Sequence, residues 1–295
     1  MNCKWCNSAN LCKAGKHNGN QRYKCKDCNK SFDGEKYNQE ITYFYHFNVK
    51  LKKTDRNKLT RDNYCVPTKE LDYKTKKNIK IASDFFNKNK RLPLMCPSYY
   101  HGFPNEVFED EEHYSDEFVQ KHYEDCMTNF DLNIEYFKTL DFDEFDKYLL
   151  KFIRRYKFTE IKDLNLLKDK SGIYILVLDE YKQVYIGKND PLSSQKIKQR
   201  IQNHWSTRKD FGHLLNGRIE TSILSIDSFG ALDTTRIFHK ELKWYQDVDA
   251  FEEKVVSEFE KEYRLNRVAG GINGEHDSTI RNLKLLSTMQ ERELK

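Results

Sequence analysis

Apolar residues crowd two short runs in the second half of the chain, at 173–178 and 184–186, with a polar stretch at 179–183 between them. Short β-branched runs around a polar turn predict a β-hairpin. Residues 193–208 follow, with Ile197, Ile201 and Trp205 four apart, the spacing of one helix face. Arg200 and His204 are also four apart, so they share a second face of the same helix. The hairpin would present Tyr174 and Tyr185, the helix an arginine and a histidine. Earlier in the chain, residues 41–47 are an aromatic run in near alternation that suits a strand or a packed linker. Residues 73–90 carry Ile79, Ile81, Ala82, Phe85 and Phe86 in a helical pattern that three prolines then stop. Residues 106–150 read as acidic helices, with Phe118, His122, Phe130, Ile134, Phe137 and Tyr148 as core candidates. Ile280, Leu283, Leu286 and Met289 predict one last helix over 276–295.

Composition sharpens this picture. A length of 295 residues suggests about two domains. The net charge of +5 favours an anionic partner. Mean hydropathy is −0.88, yet 14% of residues are aromatic, so a core can form. No run approaches the roughly 20 apolar residues of a membrane span, and the N-terminus has no apolar signal region. The expectation is an intracellular protein with no membrane partner. Charge is blocked along the chain: seven Lys/Arg against one Asp in 1–30, fourteen against five acids in 50–91, and fifteen acids against two lysines in 106–146. Such blocks suggest modules with different partners, or solvated faces.

Cys3-x2-Cys6 and Cys25-x2-Cys28 form two knuckles eighteen residues apart. In an intracellular chain this spacing points to a Cys₄ zinc site. Tetrahedral Zn²⁺ needs four thiolates, and a closed site of this kind is structural. About 30 residues bury little core, so the metal would supply the folding energy. Residues 1–36 resemble the zinc ribbons that begin many transposases. Lys13, Lys16, Arg22, Lys24 and Lys26, with Tyr23 among them, are read as a basic DNA-binding face. Cys12 and His17 are bystanders in this reading, with either able to substitute for a ligand, and Cys65, Cys96 and Cys126 are isolated buried thiols.

Residues 168–275 resemble the GIY-YIG nuclease family. Gly172-Ile173-Tyr174, ten residues, Tyr185-Ile186-Gly187, twelve residues and then Arg200 follow the family order. Glu252, with Val255, Val256 and Phe259, matches its helical glutamate, and Asn266 before Gly270-Gly271 matches its asparagine; Glu253 and Asn273 are the alternatives. His213 matches a histidine of some homing members. The resemblance implies hydrolysis of a phosphodiester. Glu252 would hold one Mg²⁺ or Mn²⁺, a hard cation suited to carboxylate. Arg200 would meet phosphate oxygens through its planar fork. Tyr174 would act on the attacking water with Tyr185 beside it. A free tyrosine titrates near pH 10, so a partner must assist, and His204 is placed for that. Lys188, directly after the second tripeptide, would lower a tyrosine pKa or bind phosphate.

The expected fold class is α/β in the broad sense (α+β): a small antiparallel sheet flanked by helices, an N-terminal zinc ribbon and a mostly helical region over 41–160. The expected function is a metal-dependent endonuclease acting on double-stranded DNA, of homing or mobile-element type. Restriction and branched-structure repair are the neighbouring readings, and an inactive zinc-ribbon regulator is the reading from another class. One catalytic domain cuts one strand at a time, so a double-strand break needs a homodimer on DNA or two visits.

Overall fold

The computed structural model describes residues 2–17, 20–33, 42–89, 107–215, 218–219, 222–243 and 246–266. The expected helix over 276–295, Cys96, Gly270, Gly271 and Asn273 lie outside them. The fold is α+β, with small antiparallel sheets and helices. No helix among the described residues is long and apolar enough to cross a membrane. The chain divides into two compact units, residues 1–44 with 50–53, and residues 45–49 with 54–295.

The first unit holds a three-stranded antiparallel sheet of β1 (Leu11–His17), β2 (Asn20–Cys25) and β3 (Ser31–Asp33). Its core is small: Cys3, Cys25 and Phe32, with Leu11, Tyr23 and Cys28 packed against them. Register decides which basic residues share a face. Lys13 lies opposite Tyr23, and Tyr23 opposite Phe32, so these three point to one side. Arg22 and Lys24 flank Tyr23 in β2 and point to the other. Of the single basic face expected of Lys13, Lys16, Arg22, Lys24 and Lys26, Lys13 therefore lies on one side of the sheet and Arg22 and Lys24 on the other, while the Lys16 side chain lies outside the described residues.

A second hairpin, β4 (Tyr43–His46) and β5 (Val49–Lys52), turns through Phe47 and Asn48, both at positive φ. Paired left-handed residues match the right-handed twist of the strands they join. The turn belongs to the second unit. There Leu164 donates its backbone N–H to the Phe47 carbonyl (2.9 Å), and the Phe47 ring stacks on Trp205.

The second unit continues with α1 (Arg61–Tyr64), α2 (Tyr73–Asn89), α3 (Asp116–Thr139) and α4 (Phe142–Tyr156). Ser115 and Asp141 cap α3 and α4, with acids in both first turns, where the helix dipole favours negative charge. α4 buries Phe145, Leu149, Phe152, Ile153 and Tyr156 on one side. Of the core candidates on α3, Phe130 and Phe137 are buried and Phe118, His122 and Ile134 half-buried, and the reading misses Cys126, Met127, Asn129, Leu132, Asn133 and Tyr136. Asn129 and Asn133 are fully buried because their amides hold the carbonyls of Ile219 and Ser222 at 2.6–2.9 Å. Cys65 and Cys126 are buried and not isolated: Cys65, hydrogen-bonded to Cys126, pushes the Cys126 thiol well up, and burial adds to this.

A four-stranded antiparallel sheet follows, in the order β6-β9-β7-β8, from β6 (Thr159–Glu160), β7 (Gly172–Leu178), β8 (Gln183–Asn189) and β9 (Arg236–Glu241). β7 is central and buried at every position, which is why its sequence is nearly all apolar. α5 (Ile197–Ser206) and α6 (Val248–Glu258) pack beside β8. α5 starts later than the pattern from 193 suggests, but it buries Ile197, Ile201 and Trp205 as their spacing predicts. Rings on α4 fix the end of α6: Phe259 meets Tyr148 at 5.1 Å and Phe152 at 4.8 Å.

Candidate functional site

The two glycines that flank the tyrosines are explained by close approach. Gly172 opens β7 at φ +119°, and a Cβ there would lie 2.2 Å from the Lys240 carbonyl oxygen across in β9. Gly187 faces Tyr174 across the β7–β8 pair. A Cβ on it would lie 2.4 Å from Tyr174 Cζ, so its bare backbone is the floor on which that ring lies. Ile173 and Ile186 are fully buried and hold the two strands in the core.

Above this floor α5 brings its second face. The Tyr174 hydroxyl lies 3.0 Å from His204 Nε2, and His204 Nδ1 lies 2.7 Å from Asp227 Oδ1. The Tyr185 ring stands edge-on to the imidazole at 4.9 Å, and the two tyrosine rings are 6.3 Å apart. Tyr174 is 0% exposed. Burial pushes its pKa up to about 12, against the downward pull of the adjacent Arg200 guanidinium. Tyr185 is pushed well above the ordinary tyrosine value, chiefly by burial. Both phenols therefore keep their protons at neutral pH. Arg200 has a half-buried fork whose Nε has no acceptor. With Gln195, Asn203, His204, Thr207 and Asp227 it lines a cleft of about 180 Å³.

On α6, Glu252 is buried and Glu253 is exposed. The Lys188 ammonium lies 2.7 Å from Glu252 Oε2 and 2.8 Å from Asp249 Oδ1. Burial pulls the Lys188 pKa down, but these two carboxylates outweigh it and hold it above the ordinary lysine value. Lys188 is thus committed to carboxylates rather than to a tyrosine. Glu252 Oε2 still lacks a well-directed hydrogen bond. The Glu252 oxygen is thus neutralised by an ammonium, and Asp249, three residues earlier on the helix, is the second carboxylate on the same lysine. Asn266 binds the backbone of Ile186 from both sides, accepting from its N–H (2.9 Å) and donating to its carbonyl (2.8 Å). It continues along the outer edge of β8 the pairing that Arg264 and Leu265 begin at Val184. His213 lies apart from the cluster, 3.6 Å from Asp72 and 3.4 Å from the Thr75 hydroxyl.

In the first unit the sulfurs of Cys3, Cys6, Cys25 and Cys28 all lie within 4.8 Å of one another. Cys3 and Cys28 are 3.4 Å apart, Cys6 and Cys25 3.6 Å. A tetrahedron with Zn–S near 2.3 Å has S···S edges of about 3.8 Å, so the cluster fits a zinc ion. Both knuckles are built alike. Asn7 and Asn29 follow the second cysteine of each pair in the left-handed conformation that asparagine tolerates. Each returns its backbone N–H to the first cysteine's carbonyl, at 2.8 and 2.9 Å. Burial raises Cys3, but backbone donors at Trp5 and Cys6 win and bring it to about 6; the Ser8 backbone lowers Cys6, but burial and neighbouring thiols push it up to about 12. Four thiolates this close need a cation between them. Cys12 stands outside, its thiol on the Lys24 carbonyl, and Lys13, Arg22 and Lys26 are exposed.

The structure thus brings Tyr174, Tyr185, Arg200 and His204 together, with Lys188 and Glu252 on the neighbouring helix–strand contact and Asn266 on the strand edge. Sequence reasoning missed Asp227 and Asp249. Asp249 was within reach of it, as an acid one turn before Glu252. Asp227 sits in a single 3₁₀ turn, Ile226–Ser228, too short for a periodic signal. No family model, curated protein or solved structure matches the chain.

Proposed function

We propose that this chain is a metal-dependent DNA endonuclease of the GIY-YIG type, in which the first unit is a zinc ribbon that helps to hold the DNA. One observation carries the reading. A protonated, buried tyrosine points its hydroxyl at an imidazole nitrogen, beside an arginine whose fork reaches the same hydroxyl while its Nε lacks an acceptor. A tyrosine that cannot ionise alone is a poor base, but it can relay a proton. Arg200 turns its fork to a phosphate and uncovers the Tyr174 hydroxyl. That hydroxyl takes a proton from water as it gives its own to His204 Nε2. The water oxygen bonds to phosphorus, the bond to the leaving sugar oxygen breaks, and that oxygen takes a proton from solvent. The Arg200 fork holds the charge that grows on the phosphate. Glu252, with Asp249 beside it, would hold a divalent cation, which would supply Lewis-acid stabilisation of the leaving oxygen.

The zinc ribbon separates recognition from cutting, an arrangement that favours a homing or mobile-element role over restriction or repair. A second reading, a catalytically silent DNA-binding regulator, is favoured by the closed state of the site: Tyr174 is fully buried, and Lys188 already neutralises Glu252. The two readings part in one experiment. Wild type and Arg200→Ala are incubated with supercoiled, linear and branched DNA, with Mg²⁺ and without. The nuclease reading expects Mg²⁺-dependent cutting by wild type, reduced roughly 100- to 1,000-fold in Arg200→Ala, the loss typical of one preorganised donor. Retained DNA binding with no cleavage of any substrate supports the regulator.

A further inference from the structure

We infer that Asp227 is the positioning residue of the site: its carboxylate accepts the Nδ1 proton of His204 and so leaves Nε2 as the lone-pair nitrogen that faces Tyr174. A neutral imidazole has one N–H and one acceptor nitrogen, and the partner of one nitrogen fixes the role of the other. The only hydrogen-bond partners of the His204 ring among the described residues are Asp227 at 2.7 Å and Tyr174 at 3.0 Å. A carboxylate only accepts, so the proton belongs on Nδ1 and the phenol must donate to Nε2. The remaining groups around the ring agree with this assignment. Tyr185 meets the imidazole in a T-shaped ring contact, and Arg200, a donor only, sits one turn back on α5 beside Tyr174. Without Asp227 the other tautomer would set an N–H against the Tyr174 O–H, and a phenol facing a donor cannot release its proton.

The chain holds Asp227 in place from three sides. Arg208, one turn after His204, donates to the carbonyls of Asp227 (3.5 Å), Ser228 and Arg56 (2.5 Å). Asn129 and Asn133 on α3 grip the Ser222 carbonyl, at the start of the segment that leads to Asp227. Trp205, next to His204, donates to the Thr234 hydroxyl at 2.9 Å. Two segments separated by 23 residues thereby meet with one orientation. The Asp227 side chain is 31% exposed and has no other bonded partner among the described residues, so it can be exchanged without opening the core.

The tautomer follows from geometry alone; its catalytic consequence rests on the nuclease reading. The test therefore has two arms. In the first, ¹⁵N-labelled histidine in full-length wild type and Asp227→Asn is read by two-bond ¹H–¹⁵N correlation. Wild type is expected to show His204 protonated on Nδ1, and Asp227→Asn to shift population to Nε2–H, because the amide can donate to Nδ1. Wild type protonated on Nε2, or an unchanged tautomer in the variant, overturns the assignment whether or not the protein cuts DNA. In the second arm, single-turnover cleavage by Asp227→Asn is expected to fall roughly 100-fold or more, with DNA affinity kept. In serine hydrolases the Asp→Asn change acts in the same way, through the wrong tautomer. A shifted tautomer with an unchanged rate would refute the positioning role and leave the nuclease reading standing.

Discussion

Replacing Gly187 by alanine tests the site through a single methyl group. The added Cβ would lie 2.4 Å from Tyr174 Cζ and 2.5 Å from its hydroxyl oxygen. Carbon atoms in contact rest at about 3.5–4.0 Å, so the ring must move by about 1 Å. A displacement of that size takes the Tyr174 hydroxyl off the position from which it bonds His204 Nε2 at 3.0 Å. Overpacking of this kind costs about 1–3 kcal/mol. At 2–4 °C per kcal/mol for a unit of this size, Tm should fall by about 2–12 °C. The folded fraction should cleave roughly 100-fold more slowly, the lower end of what a placed proton-transfer group contributes. Differential scanning calorimetry gives the first number and single-turnover cleavage below the transition the second. A variant with wild-type Tm would refute the packing of Tyr174 on Gly187. A lowered Tm with an unchanged rate would refute the role of the Tyr174–His204 bond.

Freshly purified protein should contain one zinc per chain; Cys25→Ser should lose it, unfold the first unit and bind DNA more weakly in a salt-dependent way, as measured by elemental analysis and by affinity against salt concentration. The buried Tyr174 phenol should titrate above free tyrosine: unfolded chains lose that proton near pH 10 and the folded chain only near 12, so stability falls as pH rises between the two, by about 2–3 kcal/mol for this group. Denaturant midpoints of wild type and Tyr174→Phe across that window check the sign, since the variant should lose less. Asn266→Ala removes both bonds to Ile186 and should cost about 1–3 kcal/mol while leaving zinc content unchanged.

What was legible in the sequence was periodic. Four-residue steps placed Ile197, Ile201 and Trp205 inward and set Arg200 with His204 on a face of their own. A resemblance rather than a period favoured Glu252 over Glu253, through the family register of Val255, Val256 and Phe259; the structure buries the first and exposes the second. The illegible parts depend on partners far away in the chain. Asn129 and Asn133 look like surface positions of a polar helix until the carbonyl of Ser222, 93 residues on from Asn129, arrives between them. The turn that carries Asp227 depends on those contacts and has no pattern of its own. The division of the basic residues between two faces follows from the β1–β2 register, which a bulge between Lys13 and Lys16 shifts and no local spacing announces.

The central claim is that the Tyr174 hydroxyl takes part in phosphodiester hydrolysis, and Tyr174→Phe tests it most directly. The change keeps the ring over Gly187 and removes only the oxygen that lies 3.0 Å from His204 Nε2. The measurement is the single-turnover cleavage rate of wild type and variant at saturating Mg²⁺ on a DNA that both bind equally. The account predicts a rate at least roughly 100-fold lower in the variant, with unchanged affinity and zinc content. Equal rates would contradict it, and would leave the tyrosine as packing beneath a site that works by some other group.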